Sequence, residues 1–346
     1  MKYADMDVPP RSSHLWRYTP WNWMHPTKVD EIPQTLPLRF DIDGPHEVVT
    51  DESDDQDTHE YARLFLRELN AEKANITTTE DHQVIHIRIN ASGHIASGHM
   101  HLNIQHASTI IVHLSGEAEW CGLRVTAEVR QNVFTSFAII NELSSTSTLL
   151  ECHDWMIPRD ASVEFAGLTI GGFRIKSDIR TQLSGHGSSM NQALSTHGLT
   201  QRHADHHVEI HHLKGHTVSN LSMHAACDDQ SHLISTGLLT IAKDANHSDA
   251  GQVFRNLLLS PTARAESLPE LEVLADEVAA AHGAASAPVD EHQLHYMMTR
   301  GFSKDEATAL IVEGFLTSAF HDIKSPDVLD ALRTRLTVHL ECHIKR

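Results

Sequence analysis

The sequence predicts a mainly β protein with helical ends, and three observations carry that reading. Between about residues 82 and 275 apolar residues recur at every second position in one short run after another, the period of a strand with one buried face. No confident 3.6-residue pattern interrupts those runs, which argues against alternating strands and helices. After residue 290 the period changes, and two stretches carry apolar stripes at helical spacing behind recognisable caps. About ten or more short strands without intervening helices leave a sandwich, a barrel or a stacked β-helix. No glycine at a fixed period marks a repeat that would choose among them.

Residues 1–40 hold three of the five tryptophans, Trp16, Trp21 and Trp23, among six prolines, so regular structure there should be short and the segment should drape over the body as an arm. Between Asp41 and Glu60 nine of twenty residues are acidic and none is Lys or Arg, a self-repelling composition that reads as a linker. Tyr61, Leu64, Phe65 and Leu69 then predict a helix from about Thr58 to Leu69, closing a second unit at 41–80. The strand-rich core is assigned to 81–285. Its clearest strands carry Ile85, Ile87 and Ile89; Met100, Leu102 and Ile104; Ile110, Val112 and Leu114; and Leu123, Val125, Ala127 and Val129. Further candidates are Phe137 to Ile140, Val163 to Phe165, Leu168 to Ile170, Phe173 to Ile175, Val208 to Ile210 and Leu238 to Ile241.

Leu257 to Leu259 and Leu271 to Val273 read as two buried strands, and His282-Gly283 reads as a small-residue turn. Asp290 can cap a helix that ends at Arg300 and Gly301. Ser303 and Glu306 form a capping box before the stripe Ala307, Leu310, Ile311 and Phe315. Ser325 and Pro326 open a final helix lined by Leu329, Leu332, Leu336 and Leu340. Residues 286–346 therefore read as a small helical bundle.

At 346 residues with 40% hydrophobic content the chain can form one large core or two to three units. It has no apolar run long enough to span a membrane. The start, MKYADMDVPP, lacks the features of a secretory signal, so the expected compartment is the cytoplasm. Four cysteines without a CxxC pair fit free thiols better than a zinc ribbon or a disulfide framework. A formal charge of −19 disfavours nucleic acid, whose binding needs clustered Lys and Arg. The 29 histidines act with the acidic excess to set a pI of 5.8, so a solubility minimum is expected near that pH.

No GxSxG, P-loop, HExxH or GxGxxG pattern is present, so any ATP chemistry must come from a partner. The densest histidine cluster is His203, His206, His207, His211, His212 and His216. On a strand His207, Glu209 and His211 would face one way and His206 and His212 the other, leaving at most a two-histidine ligand pair per face. Two alternative functions follow from these features: a β-helix carbohydrate-active enzyme, for which no Asp, Lys and Arg cluster is visible, and a His-rich metal-binding protein.

Four ordered blocks carry a resemblance: LLLS at 257–260, PELEV at 269–273, DEVAAAHGAA at 276–285 and EHQLHYMMTRG at 291–301, with weaker echoes in WRYTPW at 16–21 and DHHVEIHHLKGHTVSN at 205–220. They resemble the SufB/SufD family of the SUF iron–sulfur assembly system, whose members commonly read LLLS, PxLEI, DDVxCxHGAT and eeqLFYLxSRG. The resemblance implies a right-handed parallel β-helix with helical N- and C-terminal regions. It makes His282, which aligns with the histidine of HGAT, a candidate iron or cluster ligand near a subunit interface, imidazole being a fit ligand for iron. Ala280 stands where the family has cysteine, Gly283 where SufB-type chains have glutamate, and Phe254 where they carry the thiolate proposed to receive sulfur, so the chain is SufD-like. With no thiolates in this region it is not expected to nucleate a cluster unaided.

The resemblance also implies a non-catalytic role. Its expected partners are a SufC-like ABC-type ATPase, docked on the C-terminal helices, and a SufB-like paralogue or a second copy of the chain. Leu294, Tyr296, Arg300, Gly301, Phe302 and Phe315 are the candidate partner-binding residues, and iron or a cluster is expected as transient cargo of the complex. The resemblance leaves a flavin open, with no sequence feature in its support.

Overall fold

The computed structural model describes residues 2–48, 60–69 and 71–344. Its body is a parallel β-solenoid of about eight turns. Each turn contributes one strand to each of two facing sheets. Sheet 1 holds β1 (Leu36–Pro37), β3 (His46–Val48), β4 (Glu72–Thr78), β6 (Ile95–Ile104), β8 (Trp120–Val129), β10 (Thr148–Ile157), β12 (Arg174–Leu183), β14 (His203–His212), β16 (His232–Ile241) and β18 (Arg264–Val273). Sheet 2 holds β2 (Arg39–Asp43), β5 (Gln83–Ala91), β7 (Ser108–Gly116), β9 (Phe134–Leu143), β11 (Ser162–Thr169), β13 (Ser189–Gly198), β15 (Val218–Cys227), β17 (Asp249–Leu258) and β19 (Ala279–Pro288).

Alternation fills the space between the sheets: Ile85, Ile87 and Ile89 on one strand and Leu123, Val125 and Ala127 on another all point into a single buried core. The register runs straight up sheet 1 through Ile95, Trp120, Thr148, Arg174, His203, His232 and Arg264, which lie 25 to 32 residues apart. That drift in turn length is why no fixed period is visible in the sequence. The corner before sheet 2 is made by residues in the left-handed conformation two positions ahead of the strand: Asn132, Asp160, Gly187, His216 and His247. Asn, Asp, His and Gly tolerate positive φ better than other residues, so the corner repeats in geometry without repeating a residue.

The outer face of sheet 1 is covered by the N-terminal arm, which contains short 3-10 turns, the one-turn helix α1 (Trp21–Met24) and α2 (Tyr61–Glu68). Tyr3, Trp16, Trp21, Leu64 and Phe65 bury against Trp120, Leu150 and Cys152, and the Trp120 indole donates to the Met24 carbonyl at 2.7 Å. WRYTPW is therefore the aromatic patch that packs the arm down. Arg63 on α2 is 2% exposed; it bonds Asp154 at 2.8 Å, the carbonyl of His153 at 3.1 Å and the carboxylate of Asp178. Part of the acidic segment read as a linker forms β2 and β3, and residues 49–59, including the expected helix start at Thr58, lie outside the described residues.

The outer face of sheet 2 is covered by the C-terminal helices. After α3 (Glu291–Thr299), helices α4 (Lys304–Thr317) and α5 (Pro326–Ile344) bury Val312, Leu316, Leu332 and Leu336 against Ile140, Leu168 and Ile170. Polar ties fix the layer: Arg335 is bidentate to Glu142 at 2.8 and 2.9 Å, and the Ser195 hydroxyl donates to the Leu316 carbonyl at 2.7 Å. The expected bundle is thus a layer on the sheet rather than a unit standing apart. The caps hold as expected, with Ser303 and Glu306 in a capping box and Asp290 accepting from the His292 amide at 2.8 Å. Leu310, read as part of the apolar stripe, is 41% exposed.

Candidate functional site at the open end of the solenoid

The last turn differs from those beneath it. β18 and β19 pair on one side only, with β16 and β17, and among the described residues no strand lies beyond them. β19 is largely Ala and Ser, so it presents little side-chain bulk and almost all of it is exposed. The Leu271 to Val273 run, read as a buried strand, is the end of this edge: Val273 is 41% exposed and the adjoining Leu274 59%.

His282 does not sit in a turn. It lies on β19 in register with Gln252, because small residues that look like turn formers in sequence also suit an extended edge strand. It is exposed and lines a cleft of about 460 Å³ with His224, Arg255, His321 and Asp322. The cleft is roofed by the turn between α4 and α5. His224 is 97% buried, as its exposure is 3%; its Nδ1 meets the Phe315 carbonyl at 2.9 Å and its ring stacks on Phe315 at 5.0 Å. Burial holds the His224 imidazole below its ordinary pKa, leaving a neutral ring fixed beside the cleft. Neither His224 nor Arg255 announced itself in the sequence, since nothing there shows that one turn of the solenoid will be roofed by a helix 90 residues away.

The partner-binding candidates separate into two places. Tyr296, Arg300, Gly301 and Phe302 lie together at the exposed end of α3, where Arg300 stands 5.0 Å over the Tyr296 ring and bonds its hydroxyl at 3.0 Å. Gly301 has a φ of +102°, as the end of that helix requires. Tyr296 and Phe302 are 55% and 40% exposed. Leu294 is half-buried on the same helix, while Phe315 is half-buried against His224 and sheet 2.

The histidines of β14 split between the faces as their alternation requires. His206 and His212 point inward, to Thr196 at 3.0 Å and to Thr217 and Ser219 at 2.7 Å. His207 and His211 point outward and share Glu209, at 2.9 and 3.1 Å, and Arg180 reaches the same carboxylate. His203 bonds Thr19 of the arm at 2.8 Å. These rings are tied to protein partners, and among the described residues no three His, Cys, Asp or Glu side chains converge to hold a metal ion. Cys121, Cys152 and Cys227 are buried, with the thiols of Cys152 and Cys227 pushed up to about 12 by burial, so none is poised as a thiolate; Cys342 is exposed.

The sequence that forms this solenoid matches a known family. The profile described as SUF system FeS cluster assembly, SufBD core domain, matches residues 69–315, and the chain belongs to that family. Among curated relatives it is 25% identical over 221 residues to the iron-sulfur cluster assembly protein SufD of Escherichia coli, covering 62% of this chain and 52% of that one. It is 28% identical over 216 residues to SufD of Bacillus subtilis, covering 62% and 48%. An iron-sulfur cluster assembly SufBD family protein of Mycobacterium tuberculosis is 25% identical over 282 residues, covering 77% and 70%. The chain thus spans about half the length of the SufD proteins it matches. No helix among the described residues is long and apolar enough to cross a membrane.

Proposed function

We propose that the chain is a SufD-like, non-catalytic component of a SUF-type assembly complex. In this reading it pairs through its open last turn with a SufB-like paralogue or a second copy and carries an ABC-type ATPase on the exposed end of α3. The observation that supports this most is the unfinished end. A solenoid needs a polar terminal cap to stay soluble alone, and an unpaired strand edge is a template for another chain. Here the edge ends in exposed Val273 and Leu274, apolar side chains that suit burial by a partner.

His282 stands exposed on that edge. One imidazole and no accessible thiolate within the solenoid cannot hold a cluster, so iron or cluster cargo would be held between chains, with His282 as this chain's ligand. Co-purification under argon tests the reading: an ATPase and a paralogue or second copy should be retained, and His282→Ala and His282→Asn should keep the complex but lower the bound iron. A chain that stays single with both partners supplied would overturn it, and undiminished iron in both variants would remove His282 from the site.

A further inference from the structure

His216, the last of the densest histidine run, lies beyond β14 at the corner ahead of sheet 2. At this corner each turn ties its backbone to the next. The Asn132 amide donates to the Arg159 carbonyl at 3.2 Å and the Asp160 amide to the His186 carbonyl at 3.0 Å. Two further steps repeat the pattern, His216 donating to Asn246 at 3.0 Å and His247 to Glu277 at 2.6 Å. A left-handed residue therefore recurs at the same point of the coil, and in two consecutive turns it is histidine, His216 with φ +60° and His247 with φ +63°.

Equal backbone conformation sends the two side chains off in the same direction, one strand spacing of about 4.8 Å apart. Their ring centroids are indeed 4.8 Å apart, with the planes tilted by 33°. Both residues are exposed. The His216 ring makes no hydrogen bond or ion pair among the described residues, whereas His247 Nε2 lies 3.5 Å from the Glu277 carboxylate. An acceptor at Nε2 favours the tautomer with its proton there and leaves the Nδ1 lone pair open, the carboxylate–histidine arrangement that orients metal-ligating imidazoles. Other close pairs are taken up by protein partners: His197 Nδ1 meets His339 Nε2 at 3.0 Å, and His99 and His101 both bond Thr126.

We propose that His216 and His247 form a surface site for a divalent transition-metal ion of the zinc or nickel class, held by two imidazoles with water completing its shell. Imidazole suits these ions. Metal–nitrogen bonds of about 2.0–2.1 Å are within reach of two exposed rings one strand spacing apart. His186 stands wider, its ring centroid 6.5 Å from that of His216, and Glu277 orients His247 rather than ligating. No three ligands converge among the described residues, so the ion is exchangeable, unlike a closed structural zinc. The pair shares no residue with the cleft of His282, and the proposal stands whether or not that histidine ligates iron.

Equilibrium dialysis of the whole chain against zinc tests it, with His216→Asn, His247→Asn and the double variant. Asparagine tolerates the left-handed corner and offers no imidazole, so the fold is retained while the ligand is lost. Each single variant should bind one zinc fewer than the unsubstituted chain. The double variant should lose no more than the singles, because one ion is shared. Undiminished zinc in either single variant overturns the proposal, and so does a double variant that loses two ions, since each ring would then hold its own. Glu277→Gln should weaken the same ion by about tenfold or more, and unchanged affinity would overturn the orienting part given to Glu277.

Discussion

At its N-terminal end the solenoid is closed by antiparallel strands, β2 on β5 and β3 on β4, and flanked by an aromatic arm whose Trp16, Trp21 and Tyr3 are at most 2% exposed. At its C-terminal end β18 and β19 run parallel to their neighbours like any interior pair and then stop, with apolar side chains open to solvent. An antiparallel strand breaks the stacking direction and ends the array, whereas a parallel edge leaves the next turn's hydrogen bonds waiting. The difference teaches that one end is closed by the chain's own antiparallel strands, while the other leaves a parallel edge unpaired among the described residues.

The largest effect separates the covered faces from the open end. Deletion of the residues after Ala287 removes α4 and α5 and bares Ile140, Leu168, Ile170 and their neighbours on sheet 2. The truncated chain should aggregate rather than persist as a separable strand-rich core. A monodisperse truncated protein in size-exclusion chromatography would show that the helices are dispensable to the fold.

Next comes the buried ion pair under the arm. Arg63→Ala leaves Asp178, 1% exposed, without its closest cation, and should cost about 3–5 kcal/mol in denaturant unfolding, the usual result of orphaning a buried charge. Val273→Lys at the open edge should change stability by only about 0.5 kcal/mol while weakening pairing. Equal losses from the two substitutions would erase the contrast between the ends.

Acid sharpens the comparison further. Burial holds the His203 and His212 imidazoles down to about 4. Below the ordinary pKa of 6.5 the unfolded chain therefore binds protons that the folded chain refuses, and stability falls as pH drops from 6.5 toward 4. For His212, fully buried between Thr217 and Ser219, the slope is about 1.4 kcal/mol per pH unit within that window. The carboxylates of Asp178 and Glu209 are held well below their ordinary range; for both, burial opposes this and is outweighed, by Arg63 and Arg180 at Asp178 and by His207, His211 and Arg180 at Glu209. Their contribution persists down to about pH 4 and is lost only below it. Unfolding curves of His212→Asn should show a shallower upper part of this dependence, His203 keeping the rest, and an unchanged lower part.

The strands most legible in the sequence were those with a run of apolar inward residues, such as β5 with Ile85, Ile87 and Ile89. Two that were missed, β10 and β13, carry Glu151 and His153, and Gln192 and Thr196, at inward positions. Period-two hydrophobicity cannot report a strand whose buried side is polar. Leu168 to Ile170, read as a strand of its own, continues β11, because the intervening Gly167 carries no side chain to mark the alternation. The cleft beside His282 was legible only at its histidine, since its other walls come from positions that the register and the returning helices bring together. WRYTPW showed as an arm, but its partners, such as Thr19 with Asp205 at 2.6 Å, are long-range and leave no local signal.

The open end is tested most directly by hydrogen exchange on the chain alone and after mixing with a SufB-like paralogue and the ABC-type ATPase. The backbone amides of β18 and β19 should exchange readily in the isolated chain and become protected in the assembly, with β4 and β5 unchanged. Protection confined to the arm or to β4 and β5, with β19 exchanging as before, would contradict the account and place the partner at the other end.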